Sequence, residues 1–255
     1  MVRLLDRTPP GQVARAAALL ALVLGVVALG HGCGGQLDAG VVDGVVVGVD
    51  VGGDVDGGPG SVGQTGDGAA APNGPFAATV VSFSAGDGGG FGADKLPGIV
   101  LGGPQGKGAS AGSLDVVSLG CGGSIVLGLG ARVLIDGPGA DLLVFENPFA
   151  TWIELGRVAV SDDGATWHAW PCDPADTAGG YPGCAGVAPV LGNAENGVDP
   201  TDPSKAGGDA FDLADLGLKR ARFIRVTDTG TNACDAPTAG FDLDAVALVH
   251  SAPAP

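Results

Sequence analysis

The sequence predicts an all-β protein whose globular part is a β-sandwich. Short runs of β-branched and other apolar residues recur between residues 76 and 250, and Gly, Pro and Asp separate them. Such spacing is typical of sandwiches built from short strands and tight turns. No long amphipathic helical pattern follows the first 33 residues, and a domain of roughly 175 residues is long enough to bury a hydrophobic core.

The sequence predicts eight strands in this domain, each of them a short apolar run bounded by turn residues. The predicted strands are 78–84, 114–119, 123–129, 141–146, 153–160, 165–170, 221–228 and 242–249. Residues 210–218 are predicted to form either one helical turn or an irregular loop. We place the domain at residues 76–250 and predict that residues 251–255 form a tail after it.

The first 33 residues have the pattern of an export signal. Three arginines and one aspartate precede an almost unbroken apolar run at 16–29, which is shorter than the roughly 20 residues that cross a bilayer. The run leads to Cys33 in a context that resembles the lipobox of bacterial lipoproteins, although the residues two and three positions before the cysteine depart from it. We predict that Cys33 is lipidated and that the protein meets the membrane through this lipid only. Cleavage nearby without a lipid and an uncleaved anchor are the alternatives.

Residues 34–75 consist mainly of Gly, Asp and Val, with almost no aromatic residues. Glycine at this density is costly to order, and the segment has nothing large to bury. We therefore predict a disordered, flexible linker that holds the domain away from a membrane. Transient pairing of the Val-rich runs and calcium-binding repeats are the alternatives, but the segment lacks a regular repeat period.

The chain is strongly acidic, with 28 Asp and Glu against 12 Lys and Arg and a net charge of −16. A nucleic-acid partner is excluded by this balance, because phosphate binding needs clustered basic side chains. Many carboxylates have no basic partner, which favours solubility and the binding of cations.

Cysteine content favours disulfides. If Cys33 carries a lipid, four cysteines remain, an even number that suits an oxidising compartment. Three pairings of these four are possible. Cys172 and Cys184 bracket a loop rich in Pro and Gly, which suits a local bond and leaves Cys121 to pair with Cys234. A zinc site is the alternative, but the chain has no Cys-x-x-Cys and its histidines do not cluster with the cysteines.

Two stretches resemble strands of discoidin-like, galactose-binding-like jelly rolls. Residues 158–167 (VAVSDDGATW) predict a hairpin with Asp163 and Gly164 in its turn, and residues 221–228 (ARFIRVTD) predict a strand with Phe223 on one face. The hairpin also nearly matches the Asp box of sialidase propellers. It occurs once, however, whereas propellers repeat such units.

Longer motifs between about 114 and 250 resemble a family of exported bacterial "cell surface proteins". These motifs are DGPGAD at 136–141, VFENPF at 144–149, AGGDAFDLAD at 206–215 and GFDLDAV at 240–246. The resemblance implies an often lipidated, jelly-roll-like β-sandwich and implies little about chemistry.

Carboxylates dominate the candidate site residues. Asp209, Asp212 and Asp215 are spaced three apart, and Asp242 and Asp244 alternate along the last predicted strand. Ca²⁺ takes about six to eight hard oxygen ligands, often from loops, and jelly rolls of the resembled type often hold a structural Ca²⁺. The sequence therefore predicts a Ca²⁺ site built from some of these five residues. The alternative is that they cap turns through hydrogen bonds to the backbone.

Five further residues are candidates for ligand binding. Glu146 and Asn147 directly follow an apolar strand, and Trp152, Trp170 and Tyr181 are predicted to form a platform on which a sugar stacks. The alternatives are that the first two tie a loop and that the aromatic residues pack in the core or in loops.

The sequence contains no Gly-x-Ser-x-Gly, no His-Glu-x-x-His, no phosphate-binding loop and no Cys/His nucleophile pair. We therefore expect a non-enzymatic binding or adhesion module, displayed at the bacterial outer membrane or outside the cell. Its expected partner is a glycan or another envelope component. The alternatives are a polysaccharide hydrolase that uses Glu146 with a loop aspartate and a purely structural envelope lipoprotein.

Overall fold

The computed structural model describes residues 74–148 and 152–255. The predicted export signal, Cys33 and nearly all of the predicted linker lie outside this range. Within it the chain forms thirteen strands and three short 3-10 helices, so the prediction of an all-β sandwich is confirmed. No helix in these two stretches has the length and apolar composition needed to span a membrane.

Most strands are short. They are β1 (Thr79–Ser84), β2 (Val117–Ser118), β3 (Ser124–Gly128), β4 (Arg132–Ile135), β5 (Leu142–Phe145), β6 (Gly156–Ser161), β7 (His168–Ala169), β8 (Asp209–Phe211), β9 (Arg220–Ala221), β10 (Phe223–Asp228), β11 (Asp242–Leu243), β12 (Ala245–Leu248) and β13 (Ser251–Pro253). The 3-10 helices are Ala93–Lys95, Gly98–Val100 and Leu213–Leu216.

A five-stranded antiparallel sheet, in the order β1-β3-β10-β6-β7, forms one side of the domain. Burial alternates along its central strand β10. Ile224 and Val226 are fully buried, whereas Phe223, Arg225 and Thr227 are partly exposed. The sequence predicts that Phe223 lies on one face of this strand, and the structure places it on the partly exposed face. The alternation directs Ile224 and Val226 into the core.

Three smaller antiparallel sheets complete the fold, in the orders β12-β5-β8, β11-β2 and β13-β4-β9. Strand β5 is covered on both faces. Leu142 and Val144 join the main hydrophobic core, whereas Leu143 and Phe145 join a second, smaller cluster. Because successive side chains of a strand point to opposite faces, this double coverage explains why the strand is apolar at every position.

The predicted hairpin joins β6 and β7. At its turn the Asp163 carboxylate accepts hydrogen bonds from the backbone N–H groups of Ala165 and Thr166, at 2.8 and 2.7 Å. Gly164 adopts a φ of 75°, which glycine reaches without steric cost. Behind the turn, the Arg225 guanidinium lies 4.4 Å from the ring centre of Trp167, a cation–π contact that holds this ring on the sheet.

Strands β4, β8 and β13 were not predicted, and β4 forms between the predicted strands 123–129 and 141–146. Residues 209–211 pair with β5, and only 213–216 of the predicted helical turn are helical. The predicted tail forms β13, which pairs with β4. Conversely, the strand predicted at 114–119 is reduced to β2, because only its end pairs with β11.

Two disulfides join the described cysteines. Cys172 is bonded to Cys184 with their Cα atoms 4.5 Å apart, and Cys121 is bonded to Cys234 with Cα atoms 5.7 Å apart. The predicted pairing is confirmed. Two structural disulfides indicate an oxidising compartment outside the cytoplasm.

Candidate functional site

A cleft of about 250 Å³ lies where the chain leaves β5 and enters β11. It combines apolar side chains with two hydroxyls, an amide and a carboxylate. Its lining residues are Phe91, Gly112, Ser113, Leu114, Val116, Asn147, Thr238 and Asp242. Such a mixture, in which apolar walls carry a few polar groups that fix orientation, is typical of small-molecule sites.

The predicted ligand-binding residue Asn147 builds one wall of this cleft. Its Nδ2 donates to the carbonyl of Ser113 and its Oδ1 accepts from the N–H of Ser113, both at 2.9 Å. A side chain at Gly112 would clash, because a Cβ there would lie 2.4 Å from Asn147 Oδ1. Asn147 therefore ties residues 112–113 to the end of β5.

Asp242 is the acidic residue of the lining. It opens β11 opposite Ser118, whose hydroxyl donates to Asp242 Oδ1. Burial raises the pKa of Asp242 to about 6, against an ordinary value of 3.8. A partly buried carboxyl at a cleft can hold or release a proton near neutral pH, and it can also bind a cation.

Glu146 lies directly before Asn147 and is buried, with 1% of its surface exposed. Its Oε2 has no hydrogen-bond partner. Burial, and then the negative charge of Asp242, raise the pKa of Glu146 well above its ordinary value. The Glu146 carboxyl is not part of the cleft wall, so a bound substrate would meet Asp242 first.

Glu154 is a member of this site that the sequence analysis missed. It is 6% exposed, and burial followed by the charge of Asp242 raises its pKa to about 7. Hydrogen bonds from the neutral Trp152 and Asn232 side chains partly offset this rise. The only sequence signal for Glu154 is a charged residue between two apolar ones, Ile153 and Leu155.

We call Glu146, Glu154 and Asp242 the buried acidic group. The ion pairs of the described residues engage other carboxylates, and no basic side chain is among the main causes of the three raised pKa values. Buried carboxylates without a basic partner must take up protons, bind a cation or accept hydrogen bonds from neutral donors, since an isolated buried charge is very costly.

The five carboxylates predicted to bind Ca²⁺ are mostly engaged with the backbone. Asp209 accepts three N–H groups from residues 186–188, and Asp244 accepts from Gln105 and Gly106. Asp212 caps the helix Leu213–Leu216, and Asp215 is exposed on that helix. No three of the five have oxygens within 4.8 Å of one another, so the predicted set is not gathered at one point.

A different set of carboxylates does converge. One oxygen each of Asp136, Asp141 and Asp212 lies within 4.8 Å of the others. The fully buried Asp141 already accepts from Gly137 and Leu213 and bonds His250 Nδ1, each at 2.8 Å. This cluster is therefore satisfied by protein groups and ties loops together.

The predicted aromatic platform is wrong for Trp170. This side chain is 5% exposed, and its ring centre lies 5.0 Å from that of Phe211. Its indole N–H donates to the carbonyl of Asp212 at 3.0 Å. The Trp170 ring packs in the main hydrophobic core, to which β6 and β8 also contribute apolar residues. Trp152 is 53% exposed and Tyr181 is half-buried, and their role in ligand binding stays a prediction.

A second cleft, of about 380 Å³, is lined by Lys107, Gly108, Val190, Leu191, Asn193, Glu195 and Asn196. An ion pair of 3.2 Å joins its lysine and its glutamate. Its two asparagines hydrogen-bond to backbone atoms. Because these polar groups already have partners, the cleft beside Asp242 is the stronger candidate.

Comparisons with known proteins add no evidence about the function of this site. The sequence matches no protein-family profile and no curated protein. Among solved structures, the chain is similar to the C-terminal domain of a chitobiase from Bacteroides fragilis, with 13% identity, a TM-score of 0.32, and coverage of 66% of this chain and 92% of that chain. A likeness this loose carries no weight for function, and membership of the "cell surface protein" family stays a prediction.

Proposed function

We propose that this protein is an exported, non-enzymatic binding module that recognises a glycan in the cleft beside Asp242. The observation that carries the proposal is the composition of the cleft, which joins Phe91 and Leu114 to Thr238 and Asp242. A sugar ring presents an apolar C–H face and a rim of hydroxyls, and aromatic or aliphatic walls next to hydroxyl and carboxylate groups match both.

The negative charge of the protein determines which kind of glycan the cleft would bind. The chain has a net charge of −16, and two more acidic side chains, Glu146 and Glu154, are buried near Asp242. Like charges repel at such a site. The expected ligand is therefore a neutral glycan of the envelope or surroundings rather than one rich in uronate or phosphate.

Location supports the same proposal. The two disulfides indicate a compartment outside the cytoplasm. An export signal that ends in a lipid at Cys33, followed by the linker at 34–75, would display the domain at the bacterial surface. Display of this kind suits adhesion to a glycan or to another envelope component.

The test is binding of the oxidised full chain to an array of neutral and acidic oligosaccharides. We expect neutral glycans to be retained, and Phe91→Ala and Thr238→Ala each to weaken binding about tenfold, which corresponds to about 1.4 kcal/mol. Leu191→Ala is the matched control, because Leu191 is 49% exposed in the other cleft. Failure to bind any glycan, or binding that both cleft variants leave unchanged, contradicts the proposal.

A hydrolase is the second candidate, and one observation favours it. The pKa of Asp242, which lines the cleft, is raised to about 6, a value that suits a general acid near neutral pH. Neither Glu146 nor Glu154 reaches the cleft wall, so Asp242 would have to meet the substrate. Release of reducing ends from a bound glycan, lost in Asp242→Asn, would establish turnover. Binding without such release supports the non-enzymatic module. If the protein neither binds nor cleaves a glycan, a structural role remains.

A further inference from the structure

We propose that the outward face of the five-stranded sheet is a second binding surface, and that its partner is a polysaccharide rich in uronate. We call this surface the arginine face, because Arg157 and Arg225 are the charged residues at the outward positions of its strands. None of its residues lines the cleft beside Asp242. The inference therefore goes beyond the glycan proposal and does not depend on it.

The register of the sheet determines which residues share the arginine face. The inward positions belong to the main hydrophobic core, as Ile125, Val158 and Val226 do. Their neighbours in sequence point outward, because side chains alternate along a strand. The outward residues form three cross-strand rows, which are Thr79, Gly128, Phe223 and Ser161; Ser82, Val126, Arg225, Ala159 and Ala169; and Ser84, Ser124, Thr227 and Arg157.

The two arginines are diagonal neighbours on this face. Arg157 pairs with Thr227, which lies two residues after Arg225 in β10. Arg157 is exposed and Arg225 is partly exposed, and the ion pairs of the described residues involve other basic side chains. The planar fork of a guanidinium matches the two oxygens of a carboxylate. Two such groups are therefore available side by side to bind carboxylates.

The arginine face contrasts with the charge of the whole chain, which is −16. The outward positions of its five strands include no Asp or Glu. Asp228, the carboxylate of these strands, is buried and accepts three backbone N–H groups. At physiological ionic strength, screening limits the repulsion from more distant carboxylates to roughly 8 Å. An anionic partner is therefore attracted at this face.

The Arg225 side chain is positioned before a ligand arrives. Its guanidinium lies 4.4 Å from the ring centre of Trp167. A guanidinium that stacks on an aromatic ring keeps the N–H groups at its edge free to meet a carboxylate. Because the side chain is already held, less conformational freedom is lost on binding.

The neutral residues of the face select a sugar among polyanions. Ser84, Ser124 and Thr227 share a row with Arg157 across four strands, a width of about 14 Å at normal strand spacing. Their hydroxyls both donate and accept hydrogen bonds, as sugar hydroxyls do. Phe223 is partly exposed and offers an apolar surface to the C–H face of a sugar ring. A uronate polymer presents carboxylates, hydroxyls and C–H faces together, whereas other polyanions lack the sugar ring.

The experiment is calorimetric titration of the oxidised full chain with oligogalacturonate, at low salt and with a chelator present. We expect Arg157→Gln and Arg225→Gln each to weaken binding about tenfold, and added salt to weaken it further. Arg220→Gln is the matched control. It removes the same charge from another sheet, where Arg220 is already paired with Asp162 at 2.8 Å, so it should leave the affinity unchanged.

Three results overturn the proposal. Absence of binding removes the site, and an equal loss in Arg220→Gln shows an effect of net charge alone. Equal affinity for poly-L-glutamate shows that the sugar is not recognised. Because Arg157 is exposed, circular dichroism should show its variant folded, so the test does not rest on Arg225→Gln. Phe91→Ala, in the cleft, should leave oligogalacturonate binding unchanged, which separates this proposal from the one above.

Discussion

Burial, and then the negative charge of Asp242, raise the pKa of Glu146, whose Oε2 has no hydrogen-bond partner. Burial and the same charge also raise the pKa of Glu154, and the Asp242 side chain lines the cleft. One residue therefore links the surface on which a ligand would lie to the charge buried behind it. A change in the protonation of the buried acidic group therefore alters the electrostatic potential in the cleft.

The stability of the protein should fall as the pH rises. The pKa values of Asp242 and Glu154 are raised to about 6 and about 7, from ordinary values of 3.8 and 4.5. The folded state therefore keeps protons that the unfolded chain releases. The resulting stabilisation is complete below about pH 4 and is lost as the pH passes through these raised values. For Glu154 alone it amounts to about 3 kcal/mol.

Urea unfolding at a series of pH values between 5 and 8, with a chelator present, measures this effect (roughly the window in which the two groups titrate). The free energy of unfolding should decrease with rising pH, and Glu154→Gln should reduce the slope. A curve that is flat over this pH range would contradict the raised pKa values.

Opening the bond between Cys121 and Cys234 should destabilise the domain more than opening the one between Cys172 and Cys184. The first closes a sequence separation of 113 residues and the second one of 12. In the chain-entropy model such loops correspond to about 4.7 and about 3 kcal/mol. Unfolding of the two double Cys→Ala variants in denaturant measures the difference, and an equal loss in both would argue against it.

Asp228→Asn should cost about 2 to 4 kcal/mol of unfolding free energy. The buried carboxylate accepts the N–H groups of Gly122, Gly230 and Phe241, at 3.0, 2.6 and 2.9 Å. An amide has one oxygen instead of two, and its NH₂ would face an N–H donor. Urea unfolding measures the loss. The control, Asp215→Asn at an exposed position, should change stability by less than about 0.5 kcal/mol.

Trp170→Phe should destabilise the fold by about 1 to 3 kcal/mol, because it leaves the Asp212 carbonyl without its indole donor and opens space beside Phe211. Trp152→Phe, at a 53% exposed position, should leave thermal unfolding almost unchanged. Equal melting temperatures for the two variants would contradict the placement of Trp170 in the core.

The sequence predicted most strands that have a clear apolar pattern, although it missed β4, whose Val133 and Leu134 are buried. It also missed two strands that depend on tertiary pairing. Strand β8 lies in the segment 209–211, whose apolar spacing is also compatible with a helical turn. It becomes a strand because β5 offers it a pairing edge. Strand β13 contains Pro253 and little apolar character, and it forms through pairing with β4. The disulfides were predictable because four cysteines allow few pairings.

The candidate site was predictable only in part. Glu146 and Asp242 belong to recognisable motifs at strand ends, so the sequence singled out both. Glu154 and Thr238 come from loops that meet the others only in the folded chain. Their importance arises from burial and from the charge of a neighbour distant in sequence, and neither effect leaves a local pattern.

Glycan binding by the wild-type chain and its cleft variants tests the central claim most directly. The affinity of the oxidised full chain for a neutral oligosaccharide is the quantity to measure. We predict that Phe91→Ala and Thr238→Ala, in the cleft beside Asp242, each weaken binding about tenfold, whereas Leu191→Ala, in the other cleft, leaves it unchanged. Equal affinities for all four proteins, or no binding to any neutral glycan, would contradict the proposed glycan site.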